Sequence, residues 1–139
     1  MDEGEAYDEL AAYTLTRGDV AFIHQHVVDV RQIRTATSET KAIVVVQSLV
    51  GVYLFAEHGF DGRQVQRVHK VLADQRPGWP TLELPLHRGD TTVHDVLARP
   101  PGKERDEAIR RWTLETWIAC RALRDVLDAF LRSHGVSPD

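Results

Sequence analysis

The chain has 139 residues, a net charge of −4 and one cysteine, Cys120. That length suits a single domain over residues 1–139 with a core that needs no disulfide. A lone cysteine excludes an internal disulfide, and the negative charge argues against nucleic acid as a partner.

A hydrophobic content of 42% with 27% charged residues is the balance of a soluble globular protein. The acidic start MDEGEAYDEL has neither the basic nor the apolar segment of a secretory leader. The most apolar stretch, from Ala42 to Ala56, is shorter than the roughly 20 residues a bilayer requires. A cytoplasmic protein with no membrane partner is therefore expected.

The first helix is predicted over Glu5–Thr16, with Arg17-Gly18 as a basic last turn and a glycine stop. Asp19 then serves as N-cap for a helix over Val20–Arg34, whose apolar stripe is Val20, Ile23, Val27 and Val30. After a polar link at Thr35–Thr40, a third helix runs from Lys41 to His58. It is apolar nearly all round, which places it in the middle of a bundle. Its valine run exceeds the usual strand length of about 4–8 residues. Asp61 with Gln64 three residues on forms a capping-box start for a fourth helix, to about Asp74.

Pro77, Pro80 and Pro85 forbid helix in the segment Gln75–Asp90. It reads as an extended strap, with a short strand at Leu82–Leu84. Thr92 and Asp95 cap a short helix ending near Leu97, and a last helix spans Arg105–Ser133. The expected fold is all-α: a compact bundle of four main helices plus one short helix and a proline-rich strap.

Chemistry rests on the seven histidines, because imidazole titrates near neutral pH and ligates metals. Taking the links as short and the helices as antiparallel, the rise of about 1.5 Å per residue sets heights along the bundle. His26 and His69 then lie about 12 Å up, His24 about 15 Å and His58 about 25 Å, measured from the 35–40 link. His26 falls on the flank of its helix's apolar stripe, His24 at its edge and His69 within an apolar face. A His26–His69 pair near Ser48 is the sharpest constellation, with Gly51 letting helices approach closely at the same level. Asp29, one turn from His26, is placed to orient it.

This constellation reads as an acid–base pair or a divalent-metal site in which His26 and His69 are ligands; two buried, hydrogen-bonded core histidines are the structural alternative. A catalytic zinc would need a third protein ligand, and none is evident. Arg63 and Arg67, four apart, could hold an anion at a helix start or pair with Glu57 and Asp61. With His24 and Ser48 they complete the candidate substrate-binding set. His58 and His134 sit near helix C-termini, where a cation is favoured. Trp112, Trp117 and Cys120 read as core.

The phrases YDELAAYTLTRGD, FIHQHVVD, LVGVYLFAEHGFDGRQVQRVH, WPTLELP and TVHDVLARPPGKERDEAIRRW together resemble an uncharacterised bacterial family classed as a domain of unknown function. The resemblance covers most of the chain and implies no activity. It implies that HQHVVD and GRQVQRVH act as one unit. The chain departs from that family in lacking an N-terminal Cys-x-x-Cys segment, and in reading Asp29-Val30-Arg31 where members read Asp-Ala-Tyr.

Two functions follow as expectations. One is a small-molecule enzyme with His26, His69 and Asp29 in a core pocket, carrying out lyase, cyclase or hydrolase chemistry. The other is a non-catalytic ligand-binding or accessory protein, with the exposed surface of its first and last helices as a homodimer or partner contact. An open polar cavity reaching both histidines favours the first; a closed core there favours the second.

Overall fold

The computed structural model describes residues 1–139 and contains helices and no strands. In chain order these are α1 (Glu3–Arg17), α2 (His24–Thr35), α3 (Ala42–His58), α4 (Gly62–Gln75), α5 (Val93–Leu97), α6 (Lys103–Cys120) and α7 (Arg124–Ser133). A single 3-10 turn, Arg121–Leu123, joins α6 to α7. The all-α expectation holds. Where four main helices and one short one were predicted, the long helices are α1, α2, α3, α4 and the run α6–α7, with α5 the short one. No helix is long and apolar enough to cross a membrane.

Local chemistry explains most of the boundaries. Asp2 accepts from the Glu5 N–H at the start of α1, and Gly18 ends it in the left-handed region at φ 63. The capping boxes expected at Asp61/Gln64 and Thr92/Asp95 both form, each with its reciprocal pair of bonds. The helix predicted from Val20 instead begins at His24. Asp19 does cap, accepting from the Ile23 N–H at 3.0 Å, but residues 19–23 form a turn with Phe22 at φ 48. Val20 is accordingly 84% exposed rather than part of an apolar stripe.

The last helix, predicted as continuous, breaks at Arg121–Leu123. The bend lets α7 seat Leu127 and Leu131 in the core. The strand predicted at Leu82–Leu84 does not form, and the strap stays irregular.

Helix α3 is the axis. Val45, Val46, Leu49, Val50, Val52, Tyr53 and Leu54 are all buried on it, and α2, α4, α6 and α7 pack around it. A helix apolar on every side has nowhere stable to be except among other helices. Around the perimeter, Tyr13 and Arg17 of α1 hold Asp106 of α6, at 2.7 and 2.5 Å.

Two arginines fasten the strap to α2. Arg88 donates to the carbonyls of Ile33 and Ala36 at the end of α2, both at 2.8 Å, and to Pro85 O at 2.7 Å. Arg34 returns the contact, donating to Gly89 O at 3.2 Å and Thr91 O at 2.7 Å. These bonds satisfy carbonyls that a helix end otherwise leaves open. Trp79 stacks on Phe130 of α7 at 5.7 Å, pinning the other end.

Helix α2 approaches α3 closely at Gly51. A Cβ placed on Gly51 would overlap the carboxylate oxygen Oδ2 of Asp29 and press Val65 Cγ1 at 3.2 Å. Gly51→Ala is expected to destabilise the fold by about 1–3 kcal/mol, the usual cost of overpacking. In an Asp29→Ala background the same change should cost measurably less. Denaturant unfolding of the four proteins of that cycle measures the coupling; strictly additive costs would contradict the close-contact account.

Candidate functional site

Three contacts set the register of the helices that carry the candidate residues. Asp29 lies against Gly51, and Gly51 against Val65. One turn further along, the His26 ring packs on Phe55 with centroids 4.5 Å apart. At the other end, His69 of α4 faces Gln47 of α3. His26 and His69 therefore sit at levels of α3 eight residues apart, about 12 Å along its axis.

The common level expected for the pair does not form. Each link displaces its helix by about one turn, and in opposite senses. The six-residue link Ala36–Lys41, which turns at Thr37–Thr40, leaves α2 higher than a tighter connection would, and the chain at Gly59–Asp61 folds back so that α4 starts below the top of α3.

His69 is tied to α3 by a reciprocal pair. Its Nε2–H donates to Gln47 O at 2.7 Å, and the Gln47 side-chain amide donates to His69 O at 2.9 Å. Burial lowers the His69 pKa against that bond. Ser48 Oγ is spent on its own helix, donating to Val44 O at 2.7 Å. His24 is half-buried, its Nδ1 2.8 Å from the Thr14 hydroxyl. Arg63 reaches neither Glu57 nor Asp61; its Nε–H donates to Val20 O at 2.7 Å, and the guanidinium lies over Phe22. Arg67 is exposed. The four residues of the predicted substrate-binding set share no common space.

The residues that do come together are His26 and Asp29, on consecutive turns of α2 facing α3. His26 is 3% exposed and Asp29 2% exposed. Each carries an unpartnered buried atom, Nδ1 of His26 and Oδ2 of Asp29. The other carboxylate oxygen accepts from the Gln25 amide at 3.0 Å.

Burial drives both protonation equilibria toward the neutral form, in opposite directions. It pushes His26 down to about 4, helped by the charge of Arg110 and opposed by Asp61 and Asp19. It pushes Asp29 well above the usual carboxylate range, against the Gln25 bond. Near neutral pH His26 is thus a free imidazole, and burial biases the Asp29 carboxyl one turn away toward its protonated form. The usual order of a carboxylate and an imidazolium is inverted.

No cleft reaches this pair. The larger depressions open elsewhere: about 610 Å³ between the strap and the start of α3, about 430 Å³ between α5 and α6, about 440 Å³ beside Arg34 and Arg88, and about 470 Å³ beside Cys120. His26, Asp29 and His69 line none of them. No group of three His, Cys, Asp or Glu side chains is arranged to hold a metal ion. Cys120 is buried and its thiol pushed up to about 11, which keeps it an unreactive core residue.

One cluster lay outside sequence reasoning. His58 Nε2–H donates to Tyr53 Oη at 3.0 Å, and Tyr53 O–H donates to Asp128 at 2.9 Å. Arg132 then joins Asp128 to Asp139, at 2.8 and 2.6 Å. The i, i+4 spacing of Asp128 and Arg132 was legible in the sequence; the meeting of α3 with α7 was not.

The chain is thus a helical bundle with a closed polar line on its second helix and open clefts around its strap and short helix. It belongs to the family of unknown function DUF5946, which matches residues 4–121. No curated protein and no solved structure matches it.

The inverted pair has a signature in stability against pH. Folded Asp29 keeps a proton that the unfolded chain releases near 3.8, so its contribution is full at low pH and is lost as pH rises above that. Folded His26 titrates near 4 and unfolded near 6.5. Its contribution is full above that window and is lost on acidification through it, by about 3 kcal/mol. The half-buried His24 and His69 act in the same sense as His26. Asp29→Asn should therefore steepen the loss of stability between pH 6.5 and 4, while His26→Gln should flatten it. Urea unfolding across that range measures both slopes, and three parallel profiles would refute the inversion.

Proposed function

We propose that this chain is a small-molecule-binding helical protein of the cytoplasm, whose ligands occupy the clefts around the strap and α5, and in which His26, Asp29 and His69 organise the core. The observation that carries this reading is the placement of accessible space. Openings of about 430 to 610 Å³ lie at the strap and at α5, within the roughly 300–1,000 Å³ of small-molecule sites. The histidine-bearing faces of α2 and α4 are shut against α3. A divalent metal on His26 and His69 has little support, because the two histidines face different levels of α3.

One observation favours a second reading, acid–base catalysis. Neighbouring groups whose environments drive their pKa values apart mark acid and base assignments in enzymes. Here Asp29 would donate a proton and His26 accept one, in a non-redox lyase, cyclase or hydrolase step. Substrate would enter by displacement of the turn at residues 19–23, which covers the start of α2 and holds Phe22 in a costly left-handed conformation. A homodimer through the outer faces of α1 and α6 is compatible with both readings.

Thermal unfolding against a panel of neutral, cationic and anionic metabolites separates the two. A ligand at a hundredfold its Kd adds about 2.7 kcal/mol, a shift of several degrees for a domain of this size. Under the binding reading, at least one compound raises Tm, is recovered unchanged, and does so equally in Asp29→Asn. A compound that wild type consumes and Asp29→Asn does not would transfer the function to the buried pair.

A further inference from the structure

The cleft between α5 and α6 has a chemistry of its own. Its walls carry Arg99 from the end of α5 and Arg111 from α6, and Trp112 forms part of its lining. Neither arginine side chain makes a hydrogen bond or ion pair within the protein. Neighbouring arginines are spent: Arg34 on Thr116 and the strap, Arg105 on the carbonyls of Leu97 and Arg99, and Arg17 on Asp106.

Trp112 is 1% exposed, and its indole N–H is buried with no acceptor. A buried donor left unpaired costs about 1–3 kcal/mol, so an acceptor is expected to complete it. Arg34 lies over the Trp112 ring at 5.7 Å, with its charge already paired to Glu115.

Asp95 is the one acid in the wall. Its carboxylate accepts from the Thr92 N–H at 2.8 Å, and that bond holds its pKa below the ordinary value. The rest of the floor, Val96 and Ala108, is apolar.

We propose that this cleft binds the single anionic group of a small organic acid, a carboxylate or a phosphate monoester. Arg99 and Arg111 grip its oxygens, with Trp112 in the wall behind them. Guanidinium forks match the paired oxygens of such groups and hold them by charge-assisted bonds. The hydrocarbon part of the ligand rests on Val96 and Ala108. Two arginines with one acid between them suit one anionic group rather than a polyanion. This site gives a ligand class to the binding reading above, and it lies about two helical turns along α2 from His26.

The test is tryptophan fluorescence and Tm against phenyl phosphate, benzoate and inorganic phosphate, with sodium chloride at matched ionic strength as control. Saturable binding by one or more of the three is expected, with Kd raised about tenfold or more in both Arg99→Gln and Arg111→Gln. Both residues are exposed and unbonded, so circular dichroism and Tm of the free variants should match wild type. Benzoate alone, or the phosphates alone, identifies which oxyanion is taken. Binding that both variants retain would overturn this site while leaving the ligand-binding reading in place. So would the absence of any effect beyond that of chloride, if neutral or cationic compounds still raise Tm.

Discussion

The contact of Asp29 with Gly51 fixes the rest of this molecule. Helix α3 has no polar side to turn outward, so four helices must close on it, and α2 comes close because Gly51 has no side chain. That approach sets the register of α2 on α3, which seats His26 on Phe55. It also removes water from Asp29, which pushes its carboxyl well above the usual carboxylate range. A close helix crossing and an unusual acid have one cause.

Burial favours the neutral form of both Asp29 and His26, which eases their place in a packed interior; the remaining cost lies in their unpaired atoms. Such groups can persist because they select one packing over its competitors, or because they take part in chemistry. The two proposed functions differ on this point. The closed surroundings favour the first reason, and the inversion of the two protonation states keeps the second in view.

Much of the fold was legible in the residues. The capping boxes at Asp61/Gln64 and Thr92/Asp95 carry their own geometry, and the apolar run from Ala42 to Ala56 could only be a central helix. Gly51 was readable as a place of close approach. The site was less legible, because the argument for a His26–His69 pair summed residue heights across two links whose paths no local pattern specifies. One turn of displacement at each link was enough to part the pair. The start of α2 was misplaced for a related reason. Asp19 caps as its type predicts, but it does so onto a turn, with Gly62 of α4 drawn close enough to bond Ala21 O at 2.8 Å. Long-range packing of that kind has no sequence period. Arg34 and Arg88 escaped notice because an arginine that grips backbone looks, in sequence, like an arginine in solvent.

Those two arginines bind the strap through main-chain carbonyls, which every amino acid possesses. At that end the anchorage is therefore indifferent to side-chain identity, whereas Trp79, Leu82 and Leu84 hold the rest by packing. Thr81 and Glu83, exposed in the wall of the largest cleft, can be exchanged while Arg34 and Arg88 keep the segment in place and Leu82 and Leu84 stay packed on the core. The protein thus separates a main-chain fastening from a rewritable part of the lining, so a bundle with one rigid core could diversify what it recognises without refolding.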